Sequence, residues 1–350
     1  MKKERATIMV EPISCLLLAL LLDLLLGDPE FRLHPVRIIG ITISKTEDML
    51  RRVNLIGHGV KGVLLLFFVT CSFTWGTWTL LKYAWAYGPI TGTISSSICL
   101  YFTIGMKCLA KEALGVHEEL INKDIPGAQT RLSRIVGRDT EVLDQTGVSR
   151  ATIETVSENL VDAVLAPIFY WVILGTPGAI FYRVVNTLDA MVGYRDERYR
   201  ELGWASARLD DALNFIPARM APAAIFVAAW ILRKCLGITG IEPGHIRNMP
   251  GIIQCNGMMC GGLVRTALIE GKGHESPNSA ISEAAFAHCL GISLGGPTQY
   301  KHGMKQRSFL NKNAPPPSAD HIILSVKLMY ITTFVAVAFI WAVIKLKEFF

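Results

Sequence analysis

Charge is scarce in this sequence. Only 18% of its 350 residues are Asp, Glu, Lys or Arg, against roughly 25% in ordinary globular proteins, while 51% are hydrophobic. A disordered chain needs few apolar residues and high net charge, so disorder is excluded. The basic excess is small, 35 Lys and Arg against 29 Asp and Glu for a net charge of +6. No dense basic stripe is present, which argues against nucleic acid as a partner. Cysteine is sparse as well. The eight cysteines (Cys15, Cys71, Cys99, Cys108, Cys235, Cys255, Cys260 and Cys289) include no CxxC pair, and the Cys255/Cys260 spacing does not suit zinc. Most lie in apolar runs, where Cys is a small hydrophobe, so no secreted disulfide framework is expected. There is no GxxxxGK[ST], no HExxH and no GxGxxG following a strand. No repeat of fixed period occurs, nor the paired broken-helix halves of a secondary transporter.

What the sequence does have is apolar residues in runs. A bilayer crossing takes ~20 of them. Val60–Leu81, Ile90–Leu109, Ile216–Leu232 and Ile322–Ile344 approach or exceed that length, and Leu160–Leu174 and Gly178–Val185 flank Gly175-Thr176-Pro177. Ile13–Leu26 is shorter and reads as a half-span or interfacial helix. Lys2, Lys3 and Arg5 before it resemble a signal peptide, but no small-residue cleavage site follows, so the segment is expected to stay in the mature protein. The expected fold class is all-α: a polytopic integral membrane protein with cytoplasmic helical loops. It is read as one membrane-embedded domain over 1–350, with apolar segments at about 13–26, 60–81, 90–109, 160–192, 216–232 and 322–344. Between them, Lys111–Arg150 reads as soluble helices and Gly237–Ala319 as a long Gly-rich stretch.

Topology follows from the basic residues. Arg32–Gly59 and Lys111–Arg150 carry most of them and are expected on the cytoplasmic side, with the short Lys82–Pro89 link outside. If Leu160–Leu174 crossed fully, the charged Arg183–Arg219 stretch would be external. A helical hairpin around residues 175–178 resolves that conflict. Both of its arms open to the cytoplasm, and Asp162 and Asp189 lie at similar depths.

The remaining charges are clustered. Glu154, Ser157, Glu158 and Asp162 fall at i, i+3, i+4 and i+8, on one helix face. Such a run is ordinarily a solvated face, but this one leads straight into Leu160–Leu174. Ionisable residues at a membrane boundary are expensive and usually functional, so a divalent-cation or polar-ligand site is expected. Asn186 and Asp189 again share a face. Arg195, Arg198 and Arg200 supply planar donors for phosphate or carboxylate. Arg208, Asp210, Asp211, Asn214 and Arg219 continue a polar face. Asp23, Asp28, His34 and Arg37 gather around Gly27-Asp28-Pro29. Gly137-Arg138-Asp139-Thr140 reads as a turn into a helix. Ser276-Pro277-Asn278-Ser279 and Gly295-Gly296-Pro297 bracket a short helix and supply turns able to present N–H groups to an anion.

These residues form an ordered set. LLDLLLGDPEFRLHPVRIIG, VGRDTEVLD, ETVSENLVDAVLAPIFY, YRVVNTLDAMVGYRDERYRELGWASARLDDALNFIPAR, ESPNSA and LGISLGGP resemble the CobD/CbiB family, the membrane-bound adenosylcobinamide-phosphate synthases of cobalamin biosynthesis. The resemblance runs from about Leu17 to about Asp320. Only Lys234–His274 matches nothing in it. It implies an ATP-dependent ligase that joins adenosylcobyric acid, as an amide, to (R)-1-amino-2-propanol O-phosphate or a related amino alcohol phosphate. The implied cofactors are ATP and Mg²⁺. The implied partners are those two substrates, the lipid bilayer and other cobalamin-assembly membrane enzymes. The implied location is the cell membrane, multi-pass, with the active site facing the cytoplasm.

Such chemistry needs carboxylates for a metal or a general base, and cationic groups for phosphates. Glu154, Glu158, Asp162 and Asp189 are the catalytic candidates, and Glu158, Asp162 and Asp189 are the metal candidates. Arg138, Arg195, Arg198 and Arg208 are read as phosphate-binding. Asn159, Asn186, Asp211 and Asn278 are read as orienting substrate, with Asp28, His34 and Arg37 closing one side. Two other readings stay open: a non-catalytic corrinoid-binding scaffold for later pathway enzymes, and a corrinoid transporter.

Overall fold

A computed structural model of the chain describes residues 11–29, 31, 34–194, 196–238, 260–274, 276–300 and 303–349. Twelve α-helices dominate the described residues: α1 Ile13–Leu26, α2 Pro35–Arg51, α3 His58–Tyr87, α4 Pro89–Tyr101, α5 Met106–Ile121, α6 Ile125–Leu132, α7 Gln145–Leu160, α8 Ala166–Val192, α9 Trp204–Ile238, α10 Cys260–Gly271, α11 Pro277–Leu290 and α12 Asp320–Phe349. A π-helical turn, Val161–Leu165, separates α7 from α8. Two short antiparallel pairs complete the secondary structure. β1 (Leu294–Gly295) pairs with β4 (Phe309–Leu310), and β2 (Thr298–Tyr300) pairs with β3 (Gly303–Lys305). No disulfide joins the described cysteines. Among the described residues, five helical stretches are long and apolar enough to cross a membrane: His58–Tyr87, Pro89–Ile121, Gln145–Val192, Trp204–Cys235 and Asp320–Leu346. The protein is therefore a multi-pass helical membrane protein, as its apolar runs require.

The chain divides into two compact units. The first comprises Met1–Lys107 and Asp162–Asn214, the second Cys108–Val161 and Phe215–Phe350. In the first, α2, α3 and α8 enclose a core of Ile39, Ile43, Leu65, Val69, Ile180, Val184, Leu188 and Val192. The i, i+4 spacing of the last four puts them on one stripe of α8. Most of α3 is exposed, and Trp75, Trp78, Tyr83 and Tyr87 face outward towards its C-terminal end, where aromatic side chains suit a membrane–water interface.

The expected hairpin is present. Gly175 has φ +69° and ψ −169° and breaks α8 in two. Tyr170 and Tyr182 then stack, with ring centroids 5.4 Å apart and planes 12° from parallel. In an unbroken helix those positions would stand about 18 Å apart, so the chain doubles back between them. The break is braced by Glu11. Its carboxylate accepts from the Thr176 N–H (3.1 Å), the Thr176 hydroxyl (2.6 Å) and Trp171 Nε1 (2.9 Å), which supplies donors freed by the turn with an acceptor.

Two expectations change in detail. The run at 90–109 is not one helix: α4 stops at Tyr101 and α5 starts at Met106. The Gly105 N–H in the link donates to the Ala163 carbonyl (3.2 Å), an acceptor within the π turn, where the α-helical i→i−4 pattern is interrupted. The stretch 237–319 is not simply a Gly-rich loop, since it holds α10, α11 and both strand pairs.

In the second unit, α7 packs against α11 and α12. Every residue of α7 from Ala151 to Ser157 is buried, so this part of the helix is enclosed on all sides. Its N-cap is Asp144, which accepts from the Gly147 N–H at 2.7 Å, while Asp139 instead accepts from the Glu141 N–H.

Candidate functional site

Each unit holds a concentration of polar chemistry. In the second unit it is centred on Glu154, which is only 1% exposed. Oε2 accepts from Arg138 at 2.7 Å and lies 3.5 Å from Arg307. Oε1 accepts from the backbone N–H of Gly295 at 2.8 Å. The Gly-rich turn thus presents one N–H to a side-chain carboxylate of the protein itself. Gly295 needs φ +71° to do this, and a Cβ there would run into the Ser308 carbonyl.

Arg307 extends the network. Its Nη2 donates to both oxygens of Glu283, at 3.0 and 2.7 Å, and its Nε donates to Nδ1 of His274 at 3.3 Å. Glu158, one turn after Glu154, lies within electrostatic reach of Arg138 and Arg307 but is half-buried and makes no ion pair among the described residues. Three glutamates thus share two guanidiniums. Burial and the neighbouring Glu154 push Glu283 up to about 8, so it keeps its proton at neutral pH. Burial and Arg307 hold His274 below the usual histidine range, so it is neutral there.

The first unit holds a different arrangement. The Tyr182 hydroxyl donates to Oδ1 of Asn214 (2.8 Å), and Nδ2 of Asn214 donates to Oδ2 of Asp210 (3.0 Å). From the other helix, Nδ2 of Asn186 donates to Oδ1 of Asp210 (3.3 Å). Asp189 lies within electrostatic reach of Asp210, and Asp162 within reach of Tyr182 and Arg183. Asp162 sits on the π turn, a feature that frequently marks functional positions. His34 and Asp28 pair at 2.6 Å.

The sequence-derived residues are thus distributed. Glu154, Glu158 and Arg138 come together in the second unit, where Arg138 is engaged by Glu154. Asn278, in the same unit, accepts from Arg219 at 3.1 Å. Asn159 donates to the carbonyl one turn earlier, Thr155, at 3.0 Å. Asp28, His34, Asp162, Asn186 and Asp189 belong to the first unit. Arg37, Arg208 and Asp211 are exposed. Arg198 lies over the Tyr199 ring and 3.7 Å from Glu47. Arg195 lies outside the described residues. Among the described residues no three His, Cys, Asp or Glu side chains are gathered to hold a metal ion.

Sequence reasoning passed over Glu283, Arg307, His274 and Tyr182, and placed Asp210 and Asn214 on a polar face without a task. An acid inside the apolar run Ala280–Cys289 was the available signal for Glu283. Gly291-Ile292-Ser293-Leu294-Gly295 also spells GxSxG. It follows a helix and leads into a two-residue strand, however, and so lacks the strand-to-helix turn that exposes a nucleophilic serine.

The comparisons with known proteins agree with one another. The model of the CobD/Cbib protein family matches residues 16–329. A cobalamin biosynthesis protein CobD of Clostridium perfringens is 38% identical over 288 residues, covering 81% of this chain and 83% of that protein. The CobD protein of Geobacter metallireducens is 37% identical over 322 residues, 92% and 93% of the two chains. Cobalamin biosynthesis protein CbiB of Salmonella typhimurium is 35% identical over 332 residues, 93% and 95%. No solved structure matches. With a family model spanning nearly the whole chain and relatives of this identity aligned almost end to end, the chain belongs to the CobD/Cbib family.

Proposed function

We propose that this protein is an ATP-dependent amide ligase of cobalamin biosynthesis. It joins adenosylcobyric acid to (R)-1-amino-2-propanol O-phosphate, or a related amino alcohol phosphate, to give adenosylcobinamide phosphate. Membership of the family supports the role in cobalamin biosynthesis. The observation that carries the enzymatic reading is the set of hydrogen-bonded acidic and amide side chains within the candidate spanning stretches Gln145–Val192 and Trp204–Cys235: Glu154 in α7, Asn186 in α8, and Asp210 with Asn214 in α9. Ionisable groups in such segments are expensive and retained for function.

The chemistry sets the requirements. A carboxylate does not react with an amine at neutral pH, so it must first be activated, as an acyl phosphate in an ATP-dependent ligase. Arg37, Arg198 and Arg208 are exposed cationic groups suited to phosphates, whereas Arg138 and Arg307 are engaged by Glu154 and Glu283. Magnesium needs only one or two carboxylates when phosphate oxygens and water complete its shell. Among the described residues no three His, Cys, Asp or Glu side chains gather, which fits an ion carried in by ATP better than a resident one. When bound, such an ion spreads the charge of the transferring phosphate. The working face is on the cytoplasmic side, where ATP is found and where the positive-inside rule puts the basic segments.

The test is direct. Purified protein is incubated with adenosylcobyric acid, the amino alcohol phosphate and Mg·ATP, and the corrinoid is analysed by mass. A mass shift equal to amide formation supports the ligase. Corrinoid binding with no ATP-dependent shift favours the scaffold and sinks the ligase.

A further inference from the structure

Buried acids in this protein are not treated alike. Glu154 meets Arg138 and Arg307, and Glu283 meets Arg307 through two hydrogen bonds. Asp210 is also largely buried, 9% exposed against 1% and 2% for the two glutamates, in a spanning helix. Yet its hydrogen-bond partners among the described residues are the two neutral amides Asn186 and Asn214. A buried carboxylate with no cation beside it is costly; Glu11 meets that cost with three neutral donors at the hairpin, whereas Asp210 has two.

The amides are themselves oriented. The Tyr182 hydroxyl donates to Oδ1 of Asn214, which leaves Nδ2 as the end facing Asp210. Tyr182 is held in turn by its stack on Tyr170 across the hairpin. Asn186 approaches from α8 and Asn214 from α9, so each oxygen of Asp210 accepts one N–H and keeps lone-pair capacity for another donor. The carboxyl plane is therefore set from both sides by groups that do not neutralise it.

We propose that Asp210 is the general base of the ligation, and that Asn186, Asn214 and Tyr182 are positioning residues that aim it at the amine of the amino alcohol phosphate. This inference rests on the ligase reading. The cation missing from the protein is supplied by the substrate ammonium. Asp210 takes one proton from that ammonium. The neutral amine nitrogen then attacks the acyl phosphate carbon, the C–N bond forms and the C–O bond to phosphate breaks. The phosphate departs with the electron pair and takes the second amine proton. Asp210 returns its proton to water.

The test is a double-mutant cycle on Asp210→Asn and Tyr182→Phe, with initial rates measured by mass analysis of the amide and folding followed by thermal unfolding in detergent. Asn keeps the shape of Asp210 but cannot accept the proton. Asp210→Asn is expected to lower kcat by about 10²–10⁴-fold, the span typical of general base catalysis, with KM for adenosylcobyric acid and the unfolding midpoint little changed. Tyr182→Phe is expected to lower kcat several-fold alone and to do nothing further in the Asp210→Asn background, because it acts only through that carboxyl. Multiplicative effects, or an Asp210→Asn protein within tenfold of the parent, would overturn the assignment while leaving the ligase reading intact. If Asp210→Asn fails to fold, Asp210→Glu, which keeps the acid and displaces it, must retain measurable turnover well above Asp210→Ala; equal rates for the two overturn the proposal. No turnover by the parent protein sinks both readings at once.

Discussion

The backbone N–H of Gly295 donates to Oε1 of Glu154 across 2.8 Å, and the two residues are 141 positions apart in the chain. That bond ties α7 to the Gly-rich turn after α11 and completes the coordination of a carboxylate already held by Arg138. Its geometry depends on the positive φ of Gly295. Gly295→Ala adds backbone strain and drives a methyl group into the Ser308 carbonyl. The variant should lose about 1–3 kcal/mol of stability, read as a lowered midpoint of thermal unfolding in detergent. An unchanged midpoint would mean that the turn is held in some other way.

Removing the carboxylate should be worse than disturbing its neighbour. Glu154→Ala takes an ion-pair partner from both Arg138 and Arg307. Breaking a buried pair from one side costs about 3–5 kcal/mol. The expectation is poor yield in the membrane fraction and a broad, early unfolding transition. Glu154→Gln, which keeps one acceptor, should fall between the two.

Glu283 makes stability depend on pH. In the folded protein its pKa rises from an ordinary 4.5 to about 8. Between those values the folded state keeps a proton that the unfolded chain has released. Stability therefore falls as pH rises through that window and levels off above it. Glu283→Gln mimics the protonated acid and should flatten the profile, with the largest gain over the parent at pH 8 and above. Unfolding midpoints measured from pH 5 to 9 check this, and parallel curves for the two proteins would refute it.

The hairpin rests on Gly175 and Glu11. A Cβ on Gly175 would need positive φ and would sit 3.2 Å from Oε1 of Glu11. Gly175→Ala should cost about 1–3 kcal/mol. Glu11→Gln turns an amide N–H₂ towards one of the donors that the carboxylate now accepts, and should cost a similar amount. The two changes disturb one joint, so the double variant should lose less than the sum. Strict additivity in thermal unfolding would separate them.

If the acidic residues at the hairpin act on substrate, Asp189→Ala should abolish ligation while leaving insertion and detergent-extracted yield intact. Near-normal turnover of the purified Asp189→Ala protein would remove the hairpin from the active site.

Much of this architecture was legible before folding was considered. Apolar runs near 20 residues mark the crossings because a bilayer leaves the backbone no partners but its own. The hairpin was legible as well, because charge on both sides of a run with Gly-Thr-Pro-Gly in its middle fits no straight crossing. The acidic stripe of α7 was also visible, but not the fate of its members. Glu154 and Glu158 are one turn apart on one face, yet the first is sealed between two arginines and the second stays half-buried. That distinction comes from Arg138, which local chain geometry delivers, and from Arg307, which arrives only when β4 pairs with β1.

The sequence by itself determined the class of protein and its family. Hydrophobic run length, charge placement and long ordered motifs are local quantities, set by a membrane's thickness and by the order of residues along the chain. The tertiary structure alone decided which charges are neutralised. Pairing Glu154 with Gly295, Glu283 with Arg307, and Asp210 with Asn186 joins positions tens to more than a hundred residues apart. No periodicity encodes such pairings, because they exist only once the helices have packed and water has been excluded from between them.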